Sequence, residues 1–256
     1  MPPALIRRAG EIGGRLAKRL IWSLDGYFAR HSTLGDRSFF DNRDFPWVPA
    51  VEADWRKVRA ELDALLPFAA DLPNFQDLSK DQRNITQDDG WKTYFFYAYG
   101  LKAWRNCRRC PQTAALLRRI PGMKTAFFSI FAPHKELPRH RGPYKGVLRF
   151  HLALLIPEPA DQCGISVASE SRHWQEGKAL IFDDTKLHAA WNRTDAMRVV
   201  LFVDIVRPLR FPANLLNAGL LWAIALSPFV LGSAGTYLRW ESRFERIVNR
   251  QGPVPR

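Results

Sequence analysis

The apolar positions of this chain change period part-way along it. From Val51 to Leu66 they recur at Val51, Trp55, Val58, Leu62, Leu65 and Leu66, the spacing of one helical face. Gln112 to Arg119 reads as a second helix, stopped by Pro121-Gly122. The rest of residues 23–120 reads as helical and loop-rich. From residue 123 the pattern shifts to short runs of β-formers: Met123 to Ala132, Gly146 to Ile156, Gly164 to Ala168, Ala179 to Phe182 and Arg198 to Val206. Gly, Pro, Asn and Asp separate them. Several short strands in so little chain predict a sandwich or jelly roll with a helical N-terminal half packed on it.

The two ends follow another rule. Residues 4–22 place Leu5, Ile12, Leu16 and Leu20 at helical spacing with arginines between them. That is the pattern of a basic amphipathic helix, which lies in a bilayer interface or packs on a domain surface. Leu215 to Leu231 runs without a charge. The run is near the lower limit for a spanning helix, and Pro228 predicts a kink in it. A marginal span, a re-entrant hairpin, an interfacial helix and a buried core helix all fit. The organisation expected is an amphipathic segment 1–35, a domain 36–212 (helical to about 122, β from about 123), and an apolar, membrane-associated segment with a basic tail, 213–256.

Composition narrows the function. Hydrophobic content of 46% with 12% aromatics excludes a disordered chain. A mean hydropathy of -0.25 excludes a polytopic membrane protein. Three cysteines exclude a disulfide-stapled scaffold, and the Cys107/Cys110 pair, lacking a second pair, reads as free thiols. The net charge is +13. Residues 1–30 carry six basic against two acidic side chains, and residues 206–256 carry seven against two. No zinc-finger spacing, RNP motif or heptad array accompanies the charge, so no nucleic-acid partner is expected. Basic ends on a milder body suit an anionic membrane surface.

Two histidines stand apart from the others. His140 lies in a Pro- and Gly-rich loop entering a strand, and His188 follows Asp183-Asp184-Thr185, a pair of acids read as turn residues. Jelly-roll oxygenases hold iron with two His and a carboxylate, the carboxylate two residues after the first His. Here that position is Gly142, so spacing alone leaves the metal site open. Arg149 and His151 share a strand face. Arg198 opens an apolar strand, a costly place for a cation without an anion to meet it. A dicarboxylate co-substrate would serve, and so would an ordinary pair with Asp204 or Asp195.

At these residues the chain resembles the aspartyl/asparaginyl β-hydroxylase family of iron(II)- and 2-oxoglutarate-dependent dioxygenases, in particular its bacterial lipid A 2-hydroxylase branch. The resemblance runs from about Asp41 to Pro212. It rests on Phe39-Phe40-Asp41, Asp44-Phe45-Pro46-Trp47, Asp89-Gly90-Trp91-Lys92-Thr93, Thr125-Ala126-Phe127-Phe128-Ser129, His140-Arg141-Gly142-Pro143-Tyr144-Lys145-Gly146, Arg149-Phe150-His151, His173-Trp174, Phe182-Asp183-Asp184-Thr185, His188 and Arg198-Val199-Val200-Leu201. It implies an α+β, mainly β fold with a double-stranded β-helix (jelly roll, cupin-like) core and membrane-associated terminal helices. It implies Fe(II) on His140 and His188 with Gly142 in place of an acid, 2-oxoglutarate on Ser129, Arg149, His151 and Arg198, and O2 as oxidant. The activity it implies is hydroxylation of a fatty acyl chain at C2 on a lipid A secondary chain. The alternatives are an Asp or Asn side chain in protein, or an ornithine-type amino-acid lipid. A membrane lipid with an anionic head group is the expected partner, with Arg139, Arg141 and Lys145 placed to meet phosphate and Trp174 and Trp191 to line an acyl groove. The expected location is a bacterial inner membrane, with the catalytic domain facing the cytoplasm.

Overall fold

The structure, a computed structural model, describes residues 22–78 and 85–251. The amphipathic stretch 4–22 therefore lies, except for Trp22, outside the described residues. In chain order these form helix α1 (Asp25–His31), strand β1 (Phe39–Phe40), helices α2 (Val48–Ala53), α3 (Trp55–Asp63) and α4 (Phe75–Leu78), strands β2 (Trp91–Ala98) and β3 (Leu101–Lys102), and helices α5 (Trp104–Arg109) and α6 (Pro111–Leu117). Then come β4 (Met123–Phe131), β5 (Glu136–His140), β6 (Val147–Leu155), β7 (Cys163–Val167), β8 (Glu170–His173), β9 (Ala179–Phe182), β10 (His188–Asn192) and β11 (Arg198–Val206). Helices α7 (Ala213–Ala225) and α8 (Pro228–Gln251) follow.

The strands make two antiparallel sheets, one ordered β1-β9-β6-β11-β4-β2-β3 and one ordered β5-β10-β7-β8. This is the jelly-roll architecture the strand pattern predicts, α+β and mainly β. The larger sheet is the middle of three layers. Successive side chains of a strand point to opposite faces. On β11, Val199, Leu201 and Val203 enter a core shared with Val51, Val58 and Leu62 of the helices. Val200 enters a second core, shared with Ile165 and Ala190 of the smaller sheet. With both faces covered, β4, β6 and β11 are apolar at nearly every position, as strands buried on both sides are.

Double burial also hid β2. Trp91 to Ala98 has no clean alternation to distinguish it from a buried helix, and it lies in the segment read as helical and loop-rich. The helix read over Val51 to Leu66 is interrupted at Asp54 and becomes α2, α3 and a 3-10 turn, Leu66–Asp71. All three cysteines are free and buried, and burial pushes the Cys107 and Cys110 thiols up.

Candidate active site

Strand β5 ends on His140 and β10 begins on His188, and antiparallel pairing sets the two opposite each other. Their ring centroids are 4.1 Å apart. Each Nδ1 lies against a backbone carbonyl two residues upstream, Pro138 O for His140 at 2.8 Å and Lys186 O for His188 at 3.0 Å. A carbonyl can only accept, so Nδ1 carries the proton in both rings and Nε2 keeps its lone pair. Burial holds both imidazoles neutral, with pKa values pushed down to about 4; the neighbouring His188 adds to this at His140, and Arg149 adds to it at His188. Among the described residues, no group of three or more His, Cys, Asp or Glu is placed to hold a metal.

Gly142 explains itself by close approach. Its amide donates to Asp184 O at 2.6 Å, and a Cβ there would run into the Asp184 carboxylate. That carboxylate is not free to move, because it pairs with Arg149 at 2.9 Å. Gly142→Ala should therefore cost about 1–3 kcal/mol of stability, the usual range for overpacking. It should also lower turnover more than the melting shift accounts for, since the strained segment carries His140. Thermal melting and initial rates on one preparation check this; a variant with wild-type rates would show that Asp184 gives way freely.

Asp183 and Asp184 do form a turn, but not a solvated one. Asp183 is fully buried, and it accepts from Arg207 at 2.5 Å and pairs with Lys145 at 2.9 Å. This corrects two expectations. Lys145 is buried on Asp183 and Asp36, not offered to a phosphate. Arg207, counted with the basic C-terminal end, is an internal charge. Arg141 pairs with Asp25 at 2.5 Å and lies over the Trp22 ring, while Arg139 is exposed.

The strand faces then sort the remaining candidates. Arg149, His151, Ser129 and Arg198 all point between the two sheets. Arg198 is buried, packed 3.7 Å from the Phe131 ring centroid and 4.6 Å from that of Trp174. Its Nε and Nη1 have no partner among the described residues. The ion pair offered as the ordinary alternative does not form: Asp195 meets His134, and Asp204 meets Arg149. Burial pushes the Arg198 pKa down to about 10. His151 is buried with both ring nitrogens unpartnered among the described residues, and burial, then the Arg198 charge, holds it neutral. Ser129 accepts from Trp91 Nε1 at 3.0 Å. Arg149 differs from these three, because Asp184 and Asp204 already hold its guanidinium. Burial, with Asp184 adding, raises the Asp204 pKa to about 6 even with that arginine beside it.

A cavity of about 590 Å³ opens beside the histidine pair. His140, Arg149 and Asp204 line it, and so do Phe75, Phe95, Phe127 and Phe202. Phe127 stacks on Phe202 with centroids 4.2 Å apart and on Phe95 at 4.5 Å. Trp174 and Trp191, expected as groove residues, are not in the lining; Trp174 is fully buried beside Arg198. Trp91 and Trp104 take that place. The two-residue period running back from Ser129 to Phe127 and Thr125 is the signal that would have found this wall.

A profile of the family described as aspartyl/asparaginyl β-hydroxylase matches residues 52–208. The chain is 46% identical to an ornithine lipid ester-linked acyl 2-hydroxylase of Rhizobium tropici, over 88% of this chain and 81% of that protein. The chain belongs to the aspartyl/asparaginyl β-hydroxylase family. Within that family, human aspartyl/asparaginyl β-hydroxylase is 30% identical over 63% of this chain and 21% of its own length. The mouse aspartate β-hydroxylase domain-containing protein 2 is 32% identical over 75% of this chain and 64% of its own. The chain is thus a hydroxylase, and the β-hydroxylase match spans β2 to β11, the strands that carry every candidate site residue.

Proposed function

We propose that this protein is an Fe(II)- and 2-oxoglutarate-dependent hydroxylase of C2 in an ester-linked fatty acyl chain of a membrane lipid. An amino-acid lipid of the ornithine type is the first candidate, ahead of lipid A, because the relative with that substrate matches at 46% over most of both chains. The observation that carries the reading is the aromatic cavity that His140 lines, whose walls suit an acyl tail better than a peptide side chain.

The residues present fit the two groups the family implies. His140 and His188 supply two Nε2 lone pairs for Fe(II), with each Nδ1–H fixing its ring. The Arg198 guanidinium, with Nε and Nη1 unpartnered among the described residues, suits the distal carboxylate of 2-oxoglutarate, with Ser129 and His151 as further polar partners. Together iron, 2-oxoglutarate and O2 supply the oxidising power to insert an oxygen atom into a C–H bond.

The chain itself positions and excludes. Phe127, Phe202 and Phe95 hold the acyl tail and keep water from it. Trp91 holds the Ser129 hydroxyl, and Phe131 and Trp174 hold the plane of Arg198. Asp184 and Asp204 fix Arg149, which lines the cavity with His140 and could meet the ester group beside C2. A bacterial inner membrane, approached from the cytoplasmic face, is the proposed setting.

Purified protein given Fe(II), 2-oxoglutarate and an ester-acylated amino-acid lipid should release succinate and return lipid with one added oxygen. Mild base should free that oxygen with the ester-linked chain. Absence of succinate with every acylated lipid tried would refute the reading, and oxygen found only on protein would move it to Asp or Asn hydroxylation.

A further inference from the structure

Helix α7 carries two unlike faces. Ala213, Asn217 and Leu221, four residues apart, are buried against the domain. Leu215, Leu216, Ala218, Gly219, Trp222, Ala223 and Leu226 are exposed, and no charged residue occurs from Phe211 to Leu238. Phe211 is 75% exposed, Trp222 69% and Leu215 62%, unusually high for large apolar groups lying so close in sequence.

The same helix is pinned. Asn217 Nδ2 donates to Gly146 O at 2.9 Å, and Tyr144 donates its hydroxyl to Asn217 Oδ1 at 2.5 Å. Tyr144 lines the cavity, and so does Val230, just after α7. One cavity-lining residue thus holds the helix and another follows it on α8, and Leu101 and the 66% exposed Trp104 line the same cavity.

We propose that α7 lies flat in the headgroup region of an anionic bilayer without crossing it, and that the acyl chain enters the cavity from the bilayer beside Trp104. This rests on the lipid reading above. The geometry decides between the arrangements open to the segment. At 13 residues, α7 is about 20 Å long, short of the roughly 30 Å hydrocarbon layer. No single helix among the described residues is long and apolar enough to cross, and α7 with α8 passes only as a pair bent by 41°. After that bend α8 returns to the domain: Phe244 and Val248 join the main core, and Glu241 is buried. A crossing would have to pull these out. Charge favours the same partner. Arg210, Arg239, Arg243 and Arg246 are exposed, Glu241 is buried, and Glu245 pairs with Arg109. Lys102 lies 3.9 Å over the Trp104 ring, its charge beside the mouth.

All three native cysteines are buried, so a fluorophore attached to Leu215→Cys or Trp222→Cys reports α7 selectively. In vesicles of phosphatidylcholine and phosphatidylglycerol, quenchers near the headgroup should quench it more than quenchers at the acyl-chain end. Stronger quenching by the deep probe, or none by either, would overturn the proposal. In parallel, the Leu215→Glu/Trp222→Glu double variant should pellet with those vesicles at least about tenfold less than wild type, given the apolar area lost. Its succinate production from a short-chain, water-soluble acyl ester should be unchanged. Wild-type pelleting by the double variant would also overturn the proposal. If wild type pellets through α7 yet oxidises no acylated lipid, the docking face stands and the substrate reading fails; if lipid is oxidised while the double variant pellets normally, the reverse holds.

Discussion

His140→Ala and His188→Ala should each leave a folded protein that no longer retains Fe(II). Among the described residues no group of three or more His, Cys, Asp or Glu could hold a metal, so under the proposed two-histidine ligand set neither loss has a substitute. Changing a residue that merely orients a metal ligand costs about 10–100-fold in affinity, and loss of one of two ligands should exceed that range. The fold should tolerate the change, because the hydrogen bond each ring makes through Nδ1 is a local one, to a carbonyl two residues upstream. Metal analysis of gel-filtered protein after anaerobic iron loading, with circular dichroism on the same sample, measures both. Stoichiometric iron in either variant would mean the ligand set is different.

Arg198→Met should separate binding from stability even more sharply. In wild type the guanidinium sits between Phe131 and Trp174 with two of its nitrogens unpartnered among the described residues. A buried cation without a counter-charge is a standing cost, offset when a dicarboxylate arrives. Losing one member of such a pair removes about 3–5 kcal/mol, on the order of 10²–10⁴-fold in 2-oxoglutarate affinity. The ligand-free variant, relieved of its charge, should melt no lower than wild type. Wild type should rise in melting temperature as 2-oxoglutarate is added, and the variant should not. An unchanged KM for 2-oxoglutarate, or a large fall in melting temperature without ligand, would show that Arg198 has a structural partner instead.

What could be read from the amino acids alone follows from how much each feature depends on contacts distant in sequence. Strands β4, β6, β7, β9 and β11 were legible because each is a run of β-formers with breakers at its ends, and the jelly roll followed from their number. Strand β2 was not, since burial on both faces erases the alternation that marks a strand. The histidine pair and Arg198 were found from their settings and from the family resemblance. The environment of Arg149 was not: Asp184 and Asp204 reach it from two other segments, and nothing in the local sequence announces that. For the same reason Lys145 and Arg207 looked like surface charge until Asp183 was seen between them. The apolar, uncharged character of the C-terminal run was legible, but its posture depends on Asn217 meeting Gly146 and on Phe244 and Val248 returning to the core.

The three-layer arrangement of β4, β6 and β11 has a consequence for how variation in this protein is read. From Thr125 to Phe131 on β4 and from Arg149 to Ala153 on β6, odd residues face between the sheets, as even residues of β11 do from Arg198 to Asp204; their neighbours face the helices. Harm from substitutions should alternate in kind with residue number. Val199, Leu201 and Val203 would cost abundance, while Arg198 and Phe202 would cost turnover in a protein present at full level. A survey that scored only cellular protein level would record Arg198 and Phe202 as tolerant, although Arg198 is among the residues proposed for the site.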